Sequence, residues 1–534
     1  MTGFRSSRFL LVIATTLCLA AAAWAEGIFP VNDPGTGSWV FDQPSVVPNG
    51  TVLHLAFVGD NAAGADNASL NTRLYYAAVN GGADFTNKTT TRSQVLVTPA
   101  VAIDNGDAYT DARHPQIALL SATEAVILFQ ARPSDNTAAG SKLFLALVTI
   151  DNNTVTSQRV TEIRDAAGAR IPGNLTDPSF GFVVSDNTLR MAFSSSPSLA
   201  AGSPYSDVYY ARVGWDNALV VNGTILLNTA ISAGVSALPR LKLDGNNYSH
   251  IAWAAETAAA TSVIYYSMVK EVSPGVDNLA IGATSVLSGP YRWGFPNVLL
   301  PVASRVLVLA GVDSGTIGEP GYLGTAYLNP DAVTHDGNPV SVGNLIPGAS
   351  FYVFPPGSDT PLSSVFSVYH PEASLDASNR VHVAGYGSAT GAYFNAGTYF
   401  TMSLQGVTTT TTTTTTAGDI ASLISPGVPV GTGQASFAMS LPGDYTRPAF
   451  VHFSGKSVQF WSGQDNVVTG SRNLYVTSAL SSTDIPVPTK QSGCSMVDDP
   501  RRGEAGRIPG AAVLLLPAAL LALRRAARKA FGRS

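Results

Sequence analysis

Residues 238–269 read LPRLKLDGNNYSHIAWAAETAAATSVIYYSMV and hold three short apolar runs, at 240–243, 250–253 and 263–266. Asp244-Gly245-Asn246-Asn247 separates the first two, and an Ala/Thr loop separates the second from the third. Runs this short, rich in β-branched and aromatic residues and bounded by Gly, Asn and Asp, read as strands of an antiparallel meander.

The same unit recurs six more times, starting at Pro44, Pro115, Pro178, Pro296, Pro371 and Pro448. From the proline to the end of the second run (Phe57, Phe129, Phe193, Trp253, Ala310, Gly385, Trp461) the spacing stays at 13 to 15 residues. From proline to proline it ranges from 57 to 77. Tight spacing within a unit and slack between units marks supersecondary repeats joined by variable loops.

Proline lacks an N–H and is expected at the first residue of a strand. The first two runs then form a hairpin, the Tyr-Tyr run adds a third strand, and intervening segments such as 94–98 and 224–228 supply a fourth. One such sheet cannot bury both of its faces, whereas seven packed face to face around an axis can. The expected fold is therefore all-β: a seven-bladed β-propeller of four-stranded antiparallel blades over residues 27–485. Six blades plus a small β domain is the alternative, with the Thr-rich segment 407–418 as the linker at the break. Residues 37–41 (GSWVF) are expected to complete the last blade, and the paired aromatics of the third runs to fill the wedges between blades.

Composition agrees. Fifty Gly and 33 Pro point to many turns, and 45% hydrophobic residues against 13% charged allow a large core. A net charge of −5 without a basic stripe excludes a nucleic-acid binder.

The termini read as addresses. Arg5 and Arg8, the apolar run 9–23 and Ala23-Trp24-Ala25 before Glu26 form a secretory signal cleaved after Ala25. The mature chain then keeps one cysteine, Cys494, so it has no internal disulfide and must rely on its core. A polar spacer, 486–507, precedes an apolar helix at 508–523 and a basic tail at 524–534. The helix is short for a bilayer and broken by Pro517, and the arginines behind it would stay cytoplasmic.

Two resemblances sharpen this reading. Pro239, Leu241, Leu243, Asp244, His250-Ile251-Ala252-Trp253 and Ile264-Tyr265-Tyr266-Ser267 resemble the BNR-type, sialidase-like propeller repeat of secreted bacterial proteins, and the likeness runs over about 40–480. It implies the propeller fold. It does not imply glycosidase activity, because the chain has no Asp-box (S-x-D-x-G-x-x-W) and no assignable Arg triad with a Tyr–Glu pair. Gly493-Cys494-Ser495, the helix and the Arg cluster resemble the PEP-CTERM-like sorting signals of Gram-negative surface proteins. That implies processing or lipidation near Cys494, with a permanent single-span anchor as the alternative.

Candidate site residues are few. Trp215 and Trp293 lie outside the repeated runs and are the candidate ligand contacts, as exposed aromatics. Asp104, Asp107 and Asp111 offer oxygens at alternating spacing, as a Ca2+ loop would, but lack the distal bidentate Glu; turn chemistry is the leading reading and calcium the alternative. His54, His250 and His382 share one repeat position and read as structural, as do His114 and His370 before their prolines. No nucleophile elbow, S-x-x-K, P-loop or paired-Cys motif occurs. The expectation is an exported, monomeric, non-catalytic binding or scaffold propeller of the bacterial envelope, tethered to the membrane, without a required cofactor and with a glycan or surface protein as partner. A sialidase-like or other carbohydrate-active hydrolase is the alternative.

Overall fold

The computed structural model describes residues 29–30, most of 40–340, and the strands within 369–402 and 448–479. All regular elements among the described residues are strands. Each repeat forms one antiparallel module. In module four, Ser236–Leu243, Ser249–Thr257, Thr261–Ser273 and Val276–Leu287 pair in chain order. Modules one to three follow the same plan, their fourth strands being Leu96–Ala102, Thr154–Glu162 and Val220–Leu226.

Module seven borrows its outer strand from the other end of the chain. Phe29–Pro30 runs antiparallel to Arg472–Ala479, with Phe29 opposite Val476. The expected closing segment, 37–41, is thus displaced by one upstream. Val40 and Phe41 instead start the first strand of module one, Val40–Asn49, and Val40 keeps a single parallel bridge to Arg472. The reason is packing: the Phe41 ring meets Phe57 and Tyr75 edge-on at 5.7 and 5.6 Å, inside module one.

The repeat prolines also sit elsewhere than expected. Six of the seven lie inside the first strand, and only Pro448 precedes one. In modules one to six the proline and the residue before it together face a single residue of the second strand. Gln43-Pro44 oppose Phe57, His114-Pro115 oppose Phe129, and Leu238-Pro239 oppose Trp253, each between shifted ladder pairs. This is a β-bulge, where a missing N–H costs the ladder nothing. The constant 13-to-15 spacing is the register of that bulge. Every residue before these six prolines has positive φ: Gln43, His114, Asp177, Leu238, Phe295 and His370, between 47° and 58°.

In modules one to four the residue facing the bulge is an aromatic that stacks on the third strand, and module seven repeats the stack at the equivalent position. Phe57–Tyr75, Phe129–Phe144, Phe193–Tyr209, Trp253–Tyr265 and Trp461–Tyr475 lie 5.7–6.0 Å apart. The second tyrosine of the Tyr-Tyr run turns to the opposite face, where Tyr76 and Tyr266 meet His54 and His250 at 2.6 and 2.7 Å.

Both faces of modules one to four are buried. In module one, Ala56, Val58, Leu74, Tyr76 and Ala78 pack against module two, while Leu53, Leu55, Phe57, Ala77 and Val79 pack against module seven. Further clusters join modules two to three, three to four, and four to five. First strands touch in cyclic order from Val40–Asn49 through Ala449–Phe453, which returns to Val40–Asn49. A ring of face-stacked antiparallel sheets is a propeller.

Candidate functional site: the axial channel

The first strands enclose a cavity of about 450 Å³ lined by residues from all seven modules, a size suited to a small organic ligand. The bulges decide which side chains line it. Five of the six positive-φ residues that precede the prolines (Gln43, His114, Asp177, Leu238 and Phe295) border the cavity. A bulge re-aims a side chain that regular pleating would send into the sheet interface.

Neighbouring modules are laced around the channel by repeat-equivalent contacts. Gln43 Oε1 accepts the His114 N–H at 2.6 Å, and His114 Nδ1 lies 2.9 Å from Asp177 Oδ1. Gln130 Oε1 accepts the Asp177 N–H at 2.7 Å. One residue past the proline, Ser45 Oγ accepts from Ile117 N at 3.1 Å and Ser179 Oγ from Leu241 N at 2.9 Å. At the same position Asn297 donates to the Pro371 carbonyl.

Charge accumulates on two sides. Burial pushes the Asp177 carboxyl up, but His114, the Thr176 hydroxyl and Arg240 outweigh it and hold the group below the usual range. Burial lowers His114, and the charge and hydrogen bond of Asp177 more than restore it, leaving it raised. Opposite, Arg240 approaches Glu372 at 3.6 Å, each side chain 19% exposed to the channel. Burial dominates there: it lowers Arg240 and Lys242 and pushes Glu372 up to about 7 against the pull of both cations. The channel thus holds two carboxylates driven in opposite directions, with Arg240 acting on both.

None of these five charged residues was singled out from the sequence as a ligand-facing group. Their signal was there: charges beside the proline of an otherwise apolar first run, as in RHPQ, DPS, PRLKL and HPEA.

The residues that were singled out lie elsewhere. Trp293 is not exposed; at 2% it is buried on Arg292–Leu299. Its indole covers Gly324, whose added Cβ would lie 2.3 Å from the ring. Module five has Ala310 opposite Gly324 where modules one to four and seven stack two aromatics, and Trp293 fills that space. Trp215, Ala25, Cys494 and the segments 407–418 and 486–534 lie outside the described residues.

The three candidate calcium ligands diverge. Asp104 faces Arg73 at 3.7 Å, Asp107 accepts the Glu162 N–H at 2.8 Å, and Asp111 pairs with Arg113 and Arg132 at 2.9 and 3.3 Å. Among the described residues they do not gather into a metal-binding group.

A second charged cluster is structural. Arg190 and Arg212 of module three grip Asp277 of module four at 2.7 Å each, with Glu271 at 3.2 and 3.0 Å. Arg190 takes the place that His250 holds in module four, near the hydroxyl of Tyr210.

No family model matches the chain, and no curated protein is similar to it. Solved structures similar to it include a protein of unknown function from Dyadobacter fermentans DSM 18053, at 12% identity and TM-score 0.39, covering 69% of this chain and 95% of that one. Trypanosoma rangeli sialidase with the inhibitor DANA matches at 11% identity and TM-score 0.37, over 72% of this chain and 56% of that one. The haemagglutinin-neuraminidase ectodomain of parainfluenza virus 5 matches at 9% and 0.41, over 85% and 83%. At these scores the likenesses carry no chemistry across; the channel is read on its own geometry.

Proposed function

We propose that the chain is an exported seven-bladed propeller that binds a small, hydroxyl-rich, charged ligand of carbohydrate type in its axial channel without transforming it. One observation carries this reading. Five residues in left-handed backbone border one cavity, and two of them, His114 and Asp177, form an ion pair there. Non-glycine residues held in that conformation concentrate at functional sites. The polar groups along the wall (Ser45, Ser179, Asn297, Arg240, Glu372) suit hydroxyls and a carboxylate. The C-terminal segment, through Cys494 and the apolar stretch 508–523, would tether the propeller to the bacterial envelope.

The test is calorimetry on the full mature chain with acidic and neutral oligosaccharides, preceded by a glycan array. Wild type is expected to bind an acidic glycan and Arg240→Ala to weaken binding at least tenfold. Array silence, or a hit indifferent to Arg240, ends the proposal.

A hydrolase reading is favoured by the opposed carboxylates. Glu372, held at about 7, would act as general acid and the depressed Asp177 as base or nucleophile. Turnover of aryl glycosides that Glu372→Gln abolishes would establish it; no turnover across a broad panel would dismiss it.

A further inference from the structure

In module four, Asp244 and His250, five and eleven residues past the proline, approach at 3.3 Å, and His250 Nδ1 meets the Tyr266 hydroxyl at 2.7 Å. In module six, Asp376 and His382 hold the same positions, 3.2 Å apart, but the surroundings differ. His452, from the first strand of module seven, stacks on His382 with ring centroids 3.8 Å apart. Ser457 Oγ lies 2.9 Å from His452 Nδ1 and 3.3 Å from His382 Nδ1. Ligand atoms of Asp376, His382 and His452 all fall within 4.8 Å of one another.

We propose that Asp376, His382 and His452 bind a zinc ion that straps module six to module seven. Two imidazoles and one carboxylate are a borderline donor set that suits Zn2+, with a fourth position left to water. Zn–N and Zn–O bonds of about 2.0–2.2 Å place tetrahedral donors roughly 3.4 Å apart. The His382–Asp376 pair already has about that separation, whereas His452 must close by up to about 1.4 Å and turn its ring out of the near-parallel stack, because an ion in the plane of one stacked ring lies outside the plane of the other.

Ser457 supplies the outer partner that metal-bound imidazoles commonly have. When both Nδ1–H groups donate to Ser457 Oγ, each ring's lone pair sits on Nε2. The His382 Nε2 lone pair then faces a carboxylate oxygen at 3.2 Å, a repulsion that a metal cation or a proton between them relieves. The competing arrangement, His382 donating Nε2–H to Asp376 and accepting from Ser457, needs no metal and is what the experiment must distinguish. The carboxylate and His452 are partly accessible, so an ion has a way in.

The experiment titrates the EDTA-stripped, full mature chain with ZnCl2 by calorimetry, alongside thermal melts. One site with micromolar or tighter Kd and a raised Tm is expected, as is a loss of at least thirtyfold in affinity for His452→Ala. Asp104→Asn, a carboxylate outside the cluster, is expected to bind like wild type. Because a variant can fail by misfolding, zinc-edge absorption on the wild type gives an independent reading: two imidazole nitrogens plus oxygen at about 2.0–2.1 Å. Absence of binding, His452→Ala binding like wild type, or a zinc shell without imidazole would each overturn the proposal.

Discussion

Trp293 offers the sharpest test of how the modules pack. In five other modules the counterpart of Ala310 (Phe57, Phe129, Phe193, Trp253 and Trp461) stacks on a third-strand aromatic, whereas module five places Ala310 beside Gly324. The indole of Trp293 lies over that glycine, at 2.3 and 2.5 Å from the position of a Cβ. Trp293→Ala empties this space and should cost about 3–5 kcal/mol, as large-to-small core changes do. Gly324→Ala forces the buried ring to shift and should cost about 1–3 kcal/mol by overpacking. In the Trp293→Ala background the same methyl enters a void. There its cost should vanish, or reverse by roughly 0.5–1 kcal/mol, because alanine is less costly than glycine to order in a strand. The double-mutant cycle therefore predicts a coupling of about 1–4 kcal/mol, read as shifts in urea midpoint at constant m-value. Additive shifts would refute the packing account. Loss of glycan binding in Trp293→Ala, with the fold intact, would instead restore the sequence-based reading of this tryptophan as a ligand contact.

Three other outcomes are expected. Burial holds His54 neutral, lowering it from 6.5 to about 4, so the unfolded chain binds a proton first; stability should fall as pH drops from 6.5 to 4, by about 3 kcal/mol, and His54→Gln should flatten that slope in pH-dependent urea melts. Glu372 works in the opposite sense: burial raises it from 4.5 to about 7, so stability should fall as pH rises through that window by about 3 kcal/mol, a loss that Glu372→Gln removes. Arg212→Met removes one of the two arginines on the buried Asp277, leaving Arg190 and the Tyr210 hydroxyl, and should cost about 1.5–3 kcal/mol; carboxyl titration by NMR should show Glu271 rising from about 2, since the Arg212 hydrogen bond is the main force keeping it low.

Much of the fold was legible because period and spacing are backbone properties. The three runs of residues 238–269 became three paired strands, and the two buried faces of modules one to four follow from the apolar residues at successive positions such as 53–58 and 74–79. What escaped depended on local backbone geometry or on other modules. A proline inside a bulge and a proline at a strand start leave the same trace in sequence, so the bulges were read as boundaries. Trp293 looked unpartnered because its partner is an absence, the missing side chain of Gly324. Asp177 and Glu372 come from modules three and six, and only the ring brings both within reach of Arg240. Trp39 and Val40 were assigned to the last blade on adjacency alone, and the chain had a further strand available at 29–30.

The bulges connect architecture to function more closely than either reading did alone. Left-handed backbone costs a non-glycine residue roughly 1–2 kcal/mol, and six such residues together cost as much as the net stability of an ordinary domain. Glycine at these positions would relieve most of that strain, yet all six carry side chains, and five of them border the channel. Some of the cost is offset by contacts that only a side chain can make. Gln43 closes on His114, His114 on Asp177, and the Phe295 ring on His370. Leu238 borders the same cavity with a side chain that carries no polar group, so the set cannot be explained by inter-module hydrogen bonding alone. A device needed only to join modules could use the strand's regular pleat, as Ser45 and Ser179 do one residue past the proline. Five strained positions that converge on one cavity are better explained by what the cavity has to hold.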